Sequence, residues 1–203
     1  MKKLICLLIT VLLVISSVGF AFADEASPMR IGENNQLSVP LYMQQKTFTC
    51  GPACLRMTLK KLGITVSEAT LEAKAGTTSG SGTYVYMMRN TLNYYTGNKY
   101  EYYKTANRDF QSKVISDIKK GYPIICHVAP SVLPNYKNQQ APAGHYVVVK
   151  GYIIQAGATA NMSVTYNDPH YNPDIHGTWN APLKTMITAI NNNADYYIAY
   201  NGG

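Results

Sequence analysis

No long run of basic residues occurs in this chain, although Lys and Arg (18) outnumber Asp and Glu (11). Nucleic-acid recognition needs a clustered basic stripe and a recognisable module, and neither is present. The Gly-Lys phosphate-loop pattern is also missing, which excludes an ATPase within these 203 residues. Internal repeats, coiled-coil heptads and low-complexity tracts are absent, so solenoids and rods are not expected. Long apolar runs are limited to one. Leu4 to Val18 follows Lys2 and Lys3 and leads into Ala21-Phe22-Ala23 before Asp24. That run is short for a membrane span and has the flanks of a secretory signal peptide. Cys6 lies near its start, away from the cleavage end where a lipid-modified cysteine would stand.

The expectation is therefore a signal peptide over residues 1–23 and an exported chain from Asp24, without a stable membrane span. The remaining length suffices for one sizeable core. The formal charge of +7 includes Lys2 and Lys3 and falls to about +5 without them. Such a surface suits proximity to an anionic cell wall or membrane. Cysteine is sparse: of four, Cys6 leaves with the signal, and Cys50, Cys54 and Cys126 remain. An odd number means that at least one thiol is unpaired within the chain. Whether Cys54 and Cys126 form a bridge is left open by the sequence.

What is present has a clear order. Residues 24–38 are polar and aperiodic and read as a flexible lead-in, followed by a short extended segment from Val39 to Tyr42. Leu55, Leu59 and Leu62 recur at helical spacing, with Pro52 in the first turn and Gly63 at the stop, which predicts a helix from Cys50 to Leu62. "TVSEATLEAKAG" has a Thr65 to Glu68 capping-box spacing and predicts a second helix. After the loop "TTSGSGT", Tyr84, Met87 or Met88, Leu92 and Tyr95 predict a third. "YEYYK" reads as a strand. Phe110, Val114 and Ile118 mark another helix, ended by Gly121. Then β-branched and aromatic residues dominate "PIICHVA", "HYVVVKGYII", "SVTYND" and "YYIAY", all read as strands, with a helix over Ala181–Ile190. Helices first and strands later argue an α+β class with an antiparallel sheet, in one domain over residues 39–203.

Cys50 opens its helix, and a helix N-terminus stabilises a thiolate through its partial positive charge and free N–H groups. The competing reading is a small buried side chain on the core face. Gly51 would let a substrate backbone approach the sulfur. A base is also required, and His127, His145, His170 and His176 compete. His145 sits at the mouth of a strongly apolar strand, whereas His127 is inside a strand and the other two lie in the loop "DPHYNPDIH". Asp168, ending "SVTYND", can be brought beside His145 by a neighbouring antiparallel strand and orient it. An oxyanion at the attacked carbonyl needs donors: the Cys50 N–H, and the side-chain amide of Gln44 or Gln45. Asp168, His170, Asp174 and His176 offer oxygen and nitrogen ligands, but their irregular spacing and two prolines argue against a metal. The tyrosines of "NYYTGNKYEYYK" fit a helix end and a half-buried strand better than a stacking platform.

Taken together and in order, "VPLYMQQKTFTCGPACLRMTLKKLGI", "GYPIICHV", "GHYVVVKGY" and "VTYNDP" resemble the C39-like peptidases, a branch of the papain-like cysteine peptidases. The resemblance runs from about Val39 to the C-terminus. It implies a papain-like fold, with an N-terminal helical part packed on an antiparallel sheet, and a catalytic trio of Cys50, His145 and Asp168. The family's motif glutamine lies six residues before the cysteine, which is Gln44. The implied chemistry is hydrolysis of a peptide bond in a peptide or protein substrate through an acyl-enzyme thioester, with no cofactor. Transfer of the acyl group to an amine, or a binding module that kept the fold without activity, are the alternatives. Thr49 stands where exporter-fused members commonly have aspartate, so their preference for Gly-Gly leaders does not carry over.

Overall fold

A computed structural model describes residues 31–104, 108–156 and 158–202. The expected signal peptide, Cys6 and the first residues of the lead-in lie outside them. The first half supplies α1 (Cys50–Lys61), α2 (Glu68–Lys74) and α3 (Val85–Thr96). The second half supplies α4 (Arg108–Lys120) and α5 (Leu183–Asn191) with most of the sheet. Its strands are β1 (Ile31–Gln36), β2 (Tyr100–Lys104), β3 (Ile124–Val128), β4 (His145–Gln155), β5 (Ala158–Asp168), β6 (Gly177–Pro182) and β7 (Tyr196–Tyr200). The order across the sheet is β2-β7-β3-β4-β5-β6, with β1 also on β4, and all pairs are antiparallel.

β4 is the spine, and its sequence explains why. "HYVVVKGY" is buried at every position, as a strand covered on both faces must be. Val147 and Val149 join a core with Phe110, Val114 and Ile118 of α4 and Met186 and Ile190 of α5. Tyr146 and Val148 join a second core with Leu55, Met57 and Leu59 of α1 and Met88 and Leu92 of α3. Each buried valine contributes about 1.5–3 kcal/mol. The sheet thus separates two cores, one under α4 and α5 and one under α1 to α3.

Four expectations are corrected. Residues 31–36 are not lead-in but β1, pairing Gln36 with Gly151 and Ile31 with Gln155, along the same edge of β4 whose first half receives β3. Gly151 admits it: a Cβ there would lie 2.9 Å from the Asn35 carbonyl. The cap of α2 is Ser67, whose hydroxyl accepts the Thr70 N–H at 3.1 Å, whereas Thr65 accepts from Lys60 Nζ. α3 buries Met88, Thr91 and Leu92, leaving Tyr84 56 % exposed. Ala181 belongs to β6, and the last helix begins only at Leu183.

Candidate active site

Cys50 is the first residue of α1, and the loop before it is pinned by a buried carboxylate. Glu68, 1 % exposed, accepts the Gln45 N–H at 2.8 Å and the Thr49 hydroxyl at 2.7 Å on one oxygen. Thr49 therefore makes no side-chain cap to its own helix and ties the helix start to α2. The Gln44 N–H donates to the Pro169 carbonyl at 2.7 Å, which joins this loop to the turn after Asp168. The Gln44 amide is buried, lines the cleft and donates to the Lys46 carbonyl at 2.7 Å. Gln45 is exposed and does not line the cleft. Of the two glutamines left open by the residues alone, Gln44 is the one that lines the cleft.

Gly51 has a different role from the one expected. It is buried, and a Cβ would meet Thr83 Oγ1 at 2.7 Å and Met88 Sδ at 2.9 Å. The missing side chain makes room for α3 and the strap before it, not for a substrate. Gly51→Ala should accordingly destabilise the fold by about 1–3 kcal/mol through overpacking. A urea unfolding midpoint indistinguishable from that of the unmodified protein would contradict this.

The remaining groups come from the sheet. β4 begins with His145 and β5 ends with Asp168, and both are buried. His145 Nε2 and Asp168 Oδ1 are 2.8 Å apart, which leaves Nδ1 free of the carboxylate, and Cys50 and His145 line the same cleft. The fold thus brings three of the expected residues together: Cys50 and His145 in one cleft, and Asp168 bonded to His145. Asp168 Oδ1 also accepts the His170 N–H at 2.9 Å, and Oδ2 accepts Asn135 Nδ2 at 2.8 Å. Asn135 Oδ1 in turn accepts the Tyr166 hydroxyl at 2.7 Å. Asn135 was not singled out by sequence, and Glu68 only as the capping-box partner of Thr65, not as a support of the site. Buried polar residues without a motif resemble any loop or helix polar residue until their partners are known.

Electrostatics follow from these contacts. Burial alone would raise the Cys50 thiol, but the bond to His145, its charge, and the backbone N–H groups of Tyr146 and Gly51 bring it below its ordinary value. Burial alone would lower His145, yet Asp168 and Cys50 raise it to about 10. Burial likewise opposes ionisation of Asp168, and His145 with the hydrogen-bond donors overrides it downward. The arrangement favours thiolate, imidazolium and carboxylate together. The other histidines of the cleft are different. Burial pushes His127 down to about 4, and lowers His170 too, each helped by the charge of His145.

Cys54 and Cys126 are free, fully buried thiols, and burial pushes both up. Iodoacetamide at neutral pH should label Cys50 at least about tenfold faster than either, since only thiolate reacts. Mass mapping of the labelled peptides checks this. Among the described residues no group of three or more His, Cys, Asp or Glu stands close enough to share a metal ion. Asp168 is committed to His145 and Asn135, and His170 Nδ1 accepts the Asn172 N–H at 3.1 Å. Among the described residues no helix is long and apolar enough to cross a membrane.

Cys50, Gln44 and His145 lie in a cleft of about 690 Å³ that also takes in residues 79–83 and 139–144. Its size and the reactive group at its floor suit an extended chain segment. The profile of the Peptidase_C39 like family matches residues 36–201. No curated protein sequence matches the chain. Solved structures do. A C39-like peptidase from Bacillus anthracis is 18 % identical, with 84 % of this chain and 98 % of that one covered and a TM-score of 0.61. For the peptidase domain of Streptococcus ComA, a bifunctional ABC transporter of a quorum-sensing pathway, the figures are 21 %, 78 %, 94 % and 0.53. Bromelain from Ananas comosus, in complex with the E64 inhibitor, gives 12 %, 84 %, 99 % and 0.56. At these identities the likeness is one of fold, and that fold is papain-like.

Proposed function

The chain belongs to the C39-like peptidase family, and from that premise we propose that it is a cysteine peptidase that hydrolyses peptide bonds through Cys50, His145 and Asp168. Family and fold suggest a cysteine peptidase. The observation that carries the residue assignment is the buried pair of His145 and Asp168, 2.8 Å apart, in the same cleft as Cys50 at the start of α1.

In this reading the Cys50 thiolate attacks the carbonyl carbon of the scissile bond, forming a C–S bond and an oxyanion. The oxyanion is met by the Cys50 N–H and by Gln44, whose second amide hydrogen remains after the bond to Lys46. The C–N bond breaks, and His145 gives its proton to the departing amine. A water molecule then attacks the thioester, with His145 taking its proton, and the acid product leaves with the thiolate restored. Asp168 holds the ring and stabilises its charge throughout. The substrate is a peptide or protein, and no step calls for a cofactor. Export through the segment from Lys2 to Ala23 remains part of the proposal, as does a location close to the cell wall.

A peptide-library cleavage profile tests the reading, with the thioester trapped by acid quench and mass analysis. Hydrolysis predicts new free carboxyl ends with water and little change on adding amines. Amide products accumulating with added amine would reassign the reaction to acyl transfer, and no thioester at all would leave a binding module. The pH profile adds a second check. Because His145 is raised to about 10, imidazolium persists where an ordinary histidine is neutral. Hydrolysis should therefore hold through about pH 9 and fall as the pH approaches about 10. A fall centred near pH 6.5, the ordinary histidine value, would contradict the assignment.

A further inference from the structure

His127 lines the same cleft, and no step of the proposed hydrolysis uses it. On β3 it stands in register with Tyr146, and its ring lies over that tyrosine with centroids 4.5 Å apart and planes 22° apart. Nδ1 is sealed from solvent and has no hydrogen-bond partner. The residue itself is only partly buried. Nε2 lies on the side of Gly144, where a Cβ would come within 3.3 Å of it.

These facts fix what the ring presents. A buried N–H without an acceptor is rarer and costlier than a buried bare lone pair. The proton of the neutral ring therefore belongs on Nε2, facing the cleft. Burial and the charge on His145 keep the ring neutral down to about 4. The cleft around it has a second property: its lining contains no Asp, Glu, Lys or Arg. It is built instead from amides, hydroxyls, histidines and small residues, with Gln139, Gln140, Ser79 and Ser81 among them. Away from the pair of Cys50 and His145, whose charges answer each other, a charged side chain entering it would lose water without meeting an opposite charge. A carboxylate would also face the thiolate and Asp168. An uncharged amide carries an acceptor for the donor at no such cost.

Resting on the peptidase reading, we propose that His127 is a specificity-determining residue. Its Nε2–H donates to the side-chain carbonyl of an asparagine or glutamine in the bound peptide, within a segment uncharged around the scissile bond. The pairing sets which peptides are taken and leaves the chemistry at Cys50 unaltered.

The test uses peptidyl acyloxymethyl ketones, which alkylate a reactive cysteine without needing turnover. Matched series carry Gln, Leu, Glu or Lys at each position before the reactive group, and the rate of Cys50 modification is read by mass. The unmodified protein should favour Gln over Leu at one position by about three- to tenfold, one neutral hydrogen bond, with Glu and Lys slowest. His127→Phe, which keeps a ring over Tyr146, should abolish the Gln preference and leave the Leu rate within about twofold. His127→Ala should do the same. A Gln preference that survives both variants, a uniform fall for all four reagents, or fastest reaction with Glu or Lys would overturn the proposal. If the reagents label Cys50 without any side-chain preference, only this inference fails. If they label Cys50 no faster than Cys54, the peptidase reading fails with it.

Discussion

Cys50→Ala should lower peptide hydrolysis by at least about 10⁴-fold, the scale of removing a nucleophile that acts as part of a unit, while the protein stays folded. The two halves of this expectation have separate grounds. The sulfur carries the covalent step, and no other group near the scissile bond can replace it: Cys54 is fully buried, with its thiol pushed up by that burial. Stability is a different matter, because Cys50 is only partly buried and packs on the edge of the α1 core without belonging to its interior. Alanine is also a better helix former than cysteine. Turnover of a library-derived peptide and a urea unfolding curve measure the two. Residual hydrolysis above about one part in 10³ would move the nucleophile elsewhere.

Asp168→Asn should cost roughly 10³–10⁴ in kcat and, unlike the cysteine change, should also weaken the fold. The carboxylate is fully buried and accepts from three donors: His145 Nε2, the His170 N–H and Asn135 Nδ2. An amide has one oxygen. Whichever way it is turned, its NH₂ meets a donor, either the ring or Asn135. One buried donor goes unsatisfied, for about 1–3 kcal/mol. Losing the charge also lowers His145 from about 10, so the high-pH limb of activity should move to lower pH. Asn135→Ala removes only one of the three donors and should shift the limb less. An Asp168→Asn variant with kcat within tenfold of the parent would make the carboxylate a structural partner only.

Much of this arrangement was legible in the residues themselves, for reasons that differ by element. α1, α4 and the strands β3, β4 and β7 announce themselves because their burial is periodic or complete: Leu55 and Leu59, Phe110 and Val114, and "HYVVVK" have no stable place outside a core. β1 does not, since "IGENNQ" carries almost no apolar pattern and owes its conformation to the edge that β4 leaves open. β6 is similar, with alternating half-buried and exposed residues, and its strand character depends on β5. At the site, Cys50, His145 and Asp168 could be named because their residue types are rare and their chemistry specific. Asn135 and Glu68 could not, since their roles consist of partners 33 and 19 residues away. Gly51 was noticed for the wrong reason: a glycine beside a thiol looks like access for a ligand, and only the positions of Thr83 and Met88 reveal a packing constraint.

The sheet that separates the two cores also separates the parts of the reactive chain. Cys50 packs with the helices of one side, whereas Asp168 is held by Asn135, which in turn accepts from Tyr166, whose ring belongs to the other. The proposed trio is therefore assembled where β4 meets α1 on one side and the pair of Asn135 and Tyr166 on the other. A half-assembled molecule would carry its thiols without the buried histidine–aspartate pair that the proposed chemistry needs. On the peptidase reading, competence would therefore depend on completed folding.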